Sequence, residues 1–201
     1  MRRAQTEVIT LLLVSGIVIT LVGTAYFWGK PLIEKRAAAN DFTLFQKFAE
    51  DIDAKISAVA NSKSGSETLR IPGGSVRVIP MDTQSPDNNS IIIEFPLSQK
   101  LVLGDAEVYF RTSSTGLLGT FGQDEPRIIT FQQAAGTFRM KIYYRELELS
   151  QPRKAFRIAL NPGSGQSSGS TELTIRYGGI SSATATNGGP LSLTTIIVTP
   201  V

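Results

Sequence analysis

The sequence predicts an α+β protein. A long N-terminal helix, transmembrane in its first part and amphipathic in its second, precedes an antiparallel all-β, sandwich-like domain. Three observations carry this reading. Val8 to Trp28 is an uncharged run of 21 residues. Leu32 to Ser62 contains neither Gly nor Pro and repeats apolar side chains every three or four positions. Beyond Gly65 the repeat shortens to two, and Gly, Pro, Asn and Ser punctuate it at short intervals. The 201 residues therefore divide into an N-terminal segment to residue 29, a helix over 30–64 and a strand-rich part over 65–201, one modest domain with an appendage.

Composition narrows the chemistry. There is no His and no Cys, which removes imidazole and thiolate catalysis, Cys/His zinc sites and disulfides together. Twenty Lys+Arg stand against 17 Asp+Glu, a net charge of +3 that gives no case for a nucleic-acid partner. Neither a metal site nor a cofactor is expected.

The apolar run comes first. As a helix, Val8 to Trp28 would extend about 31 Å, enough for the hydrocarbon core of a bilayer. Arg2 and Arg3 precede it, and Tyr26, Phe27 and Trp28 close it in the manner of an interfacial belt. Lys30 follows at once, so the flanking charge is not one-sided. The arginines with the amino terminus favour an inside N-terminus and an extracellular remainder. A secretory signal peptide is the competing reading, with Val8 to Val22 as its apolar region and Gly23 and Ala25 before a cut. The aromatics beyond that point, and the amphipathic helix that follows directly, favour an anchor.

The string RRAQTEVITLLLVSGIVITLVGTAYFWG resembles the N-terminus of archaeal type IV pilin-like proteins. In that family a short basic leader (a class III signal peptide) ends in a small residue, and a prepilin-type peptidase cuts before the hydrophobic helix. The resemblance implies that Arg2 and Arg3 are leader charges, that cleavage falls between Ala4 and Gln5, and that Gln5 begins the mature chain. It covers about a seventh of the sequence. Many type IV pilins carry glutamate at the fifth mature position, whereas Glu7 here would be the third. The alternative for Glu7 is a headgroup-level carboxylate favoured by the helix dipole.

Gly16, Thr20, Gly23 and Thr24 recur at three- and four-residue spacings and share one helix face. Small residues let helices approach closely in lipid. With Glu7 they form the candidate assembly face, although Gly and Thr are also common in spans generally.

Pro31 marks a kink, and the helix is expected to continue to Ser62 and stop at Lys63-Ser64-Gly65. Phe45, Phe48, Ile52, Ile56 and Val59 form its apolar stripe, with Glu50, Asp51, Asp53 and Lys55 turned outward.

In the outer domain, Pro72-Gly73-Gly74 signals a hairpin between strands 68–71 and 75–79. Strands are also expected at 90–95, 106–111, 117–121, 127–131, 138–149, 155–160, 172–177 and 191–199. Asn161 to Ser170 is glycine-rich but lacks the strand-loop-helix frame of a phosphate cradle, so it is expected to be a hairpin loop. Ser181 to Gly189 is expected to be a linker of small residues. Asn88-Asn89-Ser90 matches the N-glycosylation sequon in a turn expected to face outward, making Asn88 a candidate glycan site. Asp82, Asp87, Asp105, Asp124 and Glu125 lack calcium-loop spacing. Glu146 and Glu148 share a strand face without a third partner for glycoside chemistry.

These features point to a non-enzymatic pilin-like surface protein, anchored in the membrane and assembled with copies of itself or other pilin-like subunits. The alternative is a membrane-tethered β-domain binding module that recognises a glycan, a surface-layer protein or another partner. Accessory proteins of the archaeal motility apparatus resemble that non-polymerising plan. A membrane-bound hydrolase would need a Ser-Lys dyad, and no such spacing is evident.

Overall fold

The computed structural model describes residues 2–81, 87–96, 106–110, 115–134, 137–151, 153–163 and 172–201. The chain is α+β, one long apolar N-terminal helix followed by strands in two sheets, a mixed six-stranded one and a five-stranded one whose pairs are all antiparallel. Contacts divide it into two compact units, Met1–Thr43 and Leu44–Val201.

Helix α1 (Arg2–Ser62) runs without a break through Pro31, so the proline does not end it. Proline offers no N–H to the carbonyl four residues back. The stop is local: Lys63 and Gly65 adopt left-handed φ values of 51° and 91°.

The strands are β1 (Ser66–Arg70), β2 (Ser75–Ile79), β3 (Ser90–Pro96), β4 (Val108–Phe110), β5 (Leu118–Thr120), β6 (Arg127–Ala134), β7 (Thr137–Tyr144), β8 (Glu146–Leu149), β9 (Lys154–Pro162), β10 (Glu172–Thr184) and β11 (Pro190–Pro200). One sheet has the order β1-β10-β11-β9-β8-β5, the other β2-β3-β7-β6-β4. The all-antiparallel expectation needs correction, because β9 runs parallel to β11 and β5 parallel to β8.

Three local readings also change. Pro72-Gly73-Gly74 does not close a hairpin: β1 pairs with β10 and β2 with β3, in different sheets. Gly74 is required there, since a Cβ would lie 2.1 Å from the Glu94 carbonyl oxygen and φ is +90°. Asn161 to Ser170 does not link neighbouring strands either, because β9 and β10 lie on opposite sides of β11; residues 164–171 are outside the described set. Ser181 to Gly189 is not a free linker: its first four residues, through Thr184, end β10, and the rest is a turn where Ala185 N–H donates to the Gly189 carbonyl at 2.9 Å.

The single expected strand 138–149 is two strands, divided at Arg145, where the chain passes between sheets. Arg145 is fully buried and anchors the crossing. Its N–H donates to Pro126 O (2.9 Å), Nε to Glu125 O (2.8 Å) and Nη1 to Gly116 O (3.2 Å).

The core of the second unit forms on the five-stranded sheet. Ile91, Ile93 and Phe95 of β3 lie opposite Ile142, Met140 and Phe138 of β7, so all six share one face. The stripe of α1 covers that face: Phe45 stacks 4.0 Å from Phe95 and 5.0 Å from Phe138, measured between ring centres. Phe48, Ala49, Ile52, Ile56 and Val59 are buried with it, each large side chain contributing about 1.5–3 kcal/mol. A second cluster gathers Ala155, Ala159, Ala185, Leu191 and Leu193, with Met81 against it.

Candidate functional site

The candidate site in the first unit is the apolar helix itself. Among the described residues, one helix near the N-terminus is long and apolar enough to cross a membrane, and none of its apolar window is buried. Leu11, Leu12, Leu13, Ile17, Ile19, Leu21 and Val22 are all exposed, as are Tyr26, Phe27 and Trp28. A long run of large apolar side chains open to water is unfavourable, and such a surface marks a membrane or a protein partner.

The polar groups of this stretch are turned inward on the backbone. Ser15 donates to Leu11 O, Thr20 to Gly16 O and Thr24 to Thr20 O, each at 2.8 Å. Those hydroxyls therefore leave little unmet polarity on the helix surface. Gly16 and Gly23 face open space, with nothing within 4 Å of where a Cβ would stand. Within this chain, packing does not demand glycine at either position. Arg2, Arg3, Ala4, Gln5 and Glu7 lie in the first turns of α1, where the description covers the backbone alone.

The second unit holds the polar nodes. Asp53, expected to face outward, is buried, and this is a correction. It sits beside Ala49 on the flank of the apolar stripe, where the β sheet covers it. Its Oδ2 lies 2.7 Å from Arg127 Nη1, and the Tyr144 hydroxyl donates to Oδ1 at 3.1 Å. Burial pushes the Asp53 carboxyl above its usual 3.8, against the pull of Arg127 and the Tyr144 hydroxyl; Glu125 adds to the rise. Tyr144 is held well above 10 by its own burial and then by the Asp53 charge. Lys55 is half-buried and bonds Glu67 at 2.6 Å. The Asp53–Arg127–Tyr144 node fastens α1 to β6 and β7.

Asn89 is the other node. It is fully buried with φ +58°, in the turn before β3. Its Nδ2 donates to Tyr144 O (2.7 Å) and Ile158 O (2.8 Å), and its Oδ1 accepts from Leu160 N–H (2.8 Å). One side chain thus joins β7 of one sheet to β9 of the other. The sequon itself starts at its neighbour, Asn88. Asn88 lies in that turn, but half-buried with Oδ1 enclosed and unbonded, and Ser90 is wholly buried.

The loop acids are brought to bases and not to one another. Asp87 lies 3.2 Å from Lys141, Asp124 3.8 Å from Arg145 and Glu125 3.7 Å from Arg127. Asp82 and Asp105 lie outside the described residues. Glu146 is buried and accepts from Thr186 N–H at 2.9 Å. Among the described residues no group of three or more acids, His or Cys is placed to hold a metal. An open groove of about 480 Å³ over β9, β10 and β11 is lined by Phe156, Ile180, Ser182 and Ser192, with Lys154 as its charged side chain. Neither role is legible in the sequence: a polar residue in a turn, as Asn89 is, usually reads as solvated, and Arg145 falls inside the expected strand 138–149, where nothing local marks a crossing between sheets.

Comparison with protein-family models, with curated proteins and with solved structures found no match to this chain.

Proposed function

We propose that this chain is a non-enzymatic type IV pilin-like surface protein. Residues 5–29 hold it in the membrane with the N-terminus cytoplasmic, and a prepilin-type peptidase cuts between Ala4 and Gln5. Residues 65–201 form a sandwich-like extracellular head. Assembly runs through the N-terminal helix, packed against other copies or pilin-like subunits along Glu7, Gly16, Thr20, Gly23 and Thr24.

One observation carries the reading. The single helix α1 changes character along its length, from large apolar side chains each more than half exposed to a stripe buried under strands. A stalk that is core at one end and uncovered oil at the other needs lipid or a second helix around it. The absence of His and Cys fits a structural role, and the hydroxyls folded onto the backbone suit a lipid-exposed face.

The test is the mature N-terminus, read by mass spectrometry from cells that also make a prepilin-type peptidase. A chain beginning at Gln5, recovered from sheared surface appendages, supports the proposal. A chain beginning at Tyr26 in the medium overturns it in favour of secretion. An intact chain confined to membranes overturns processing and assembly, and leaves a tethered binding module.

A further inference from the structure

Just past the apolar run, α1 carries a short charged collar. Lys30, Lys35 and Arg36 stand there with one carboxylate, Glu34, which Lys30 engages at 3.8 Å. Lys35 and Arg36 are exposed, and among the described residues neither forms an ion pair. At about 100° per residue, Trp28, Leu32, Lys35 and Arg36 fall within an arc of about 100°. Trp28 and Leu32 are 77% and 54% exposed. Lys30 and Glu34 lie on the opposite side.

The rise of a helix sets the Cα atoms of Lys35 and Arg36 about 10–12 Å beyond that of Trp28. Their side chains lean toward the helix N-terminus, which carries both cationic heads back toward the indole. Long basic side chains lay their stems on apolar surface and hold the charge at its boundary. The face is thus apolar at Trp28 and Leu32 and doubly positive one turn on, complementary to a layer of acyl chains capped by negative phosphates.

We propose that Trp28, Leu32, Lys35 and Arg36 form a binding site for anionic lipid headgroups, with the two bases bracketing the phosphate and the indole seated at the acyl boundary. The site rests on the membrane reading of residues 5–29. It gives the collar a function beyond stopping the span: it fixes helix depth and favours negatively charged lipid around each subunit.

Trp28 is the one tryptophan of the chain and reports on the site directly. The full-length protein is reconstituted in vesicles of phosphatidylcholine and phosphatidylglycerol in equal parts, with the acyl chains of one or the other brominated. At low salt, brominated phosphatidylglycerol should quench Trp28 about threefold more effectively than brominated phosphatidylcholine, and added salt should shrink the preference. Lys35→Gln with Arg36→Gln should make the two lipids equal, while Lys30→Gln should keep the preference. Equal quenching in the unaltered protein overturns the lipid site and leaves the membrane reading intact. A tryptophan that neither lipid quenches overturns both.

Discussion

Asp53 Oδ2 and Arg127 Nη1 are 2.7 Å apart, with side chains 9% and 18% exposed, and through this contact the helix is tied to β6. A buried pair of this kind adds little net stability, but half of it left alone costs a great deal. Arg127→Leu should therefore destabilise the protein by about 3–5 kcal/mol. Adding Asp53→Leu to that variant should restore most of the loss. Urea midpoints of the full chain in mild detergent measure both. A double variant no better than Arg127→Leu alone would sink the account.

The same carboxyl makes a signed prediction about pH. Burial raises the folded-state value of Asp53 above 3.8, so between the two values the folded chain binds more protons than the unfolded one. Stability from this group is fully present below 3.8 and is lost as pH rises through the folded value. Asp53→Asn removes that dependence. Unaltered-minus-variant stability should fall as pH is raised from about 3 to about 7. A difference that grows over that range contradicts the assignment.

Asn89 couples the two sheets through three side-chain hydrogen bonds in a left-handed turn. Asn89→Ala strands two carbonyls and one N–H in the interior, at a cost of about 3 kcal/mol. It also keeps a Cβ in the left-handed conformation without the polar side chain that lets asparagine adopt it, where a Cβ is disfavoured by about 1–2 kcal/mol. Asn89→Gly loses the same bonds but not the backbone fit, so it should be milder by about 1 kcal/mol. Thermal unfolding of both variants separates the terms, and an alanine variant as stable as the glycine one would show that φ does not matter there.

What the sequence disclosed follows the range of each signal. The stripe Phe45 to Val59 was legible because helical periodicity is set within a few residues, and all five members are buried. The exposed run of the first unit was legible for the same reason. Sheet order was not. The partner of β1 is β10, about a hundred residues away, while Pro72-Gly73-Gly74 looks locally like a turn between neighbours. Asp53 was misread because a carboxylate on the flank of a stripe usually faces water, and its base, Arg127, comes from a distant strand. Asn88 drew attention by a three-residue pattern, whereas the contacts that matter belong to Asn89.

The glycines of α1 permit a test in which folding and assembly part company. Gly16 and Gly23 have open space where a Cβ would be, and a larger residue raises helix propensity by about 1 kcal/mol. Gly16→Leu and Gly23→Leu should therefore leave the urea midpoint of the chain unchanged or slightly higher. If the face packs against another subunit, each added side chain holds two helices apart and forfeits the close approach that associates helices in lipid. The yield of sheared appendages should then fall at least about tenfold, equivalent to about 1.4 kcal/mol per contact, while membrane-bound protein stays constant. Alanine at either position, a smaller intrusion, should give an intermediate loss. Appendages that form normally with leucine at both positions would mean that this face looks onto lipid alone, and assembly, if it occurs, would have to use another side of the helix.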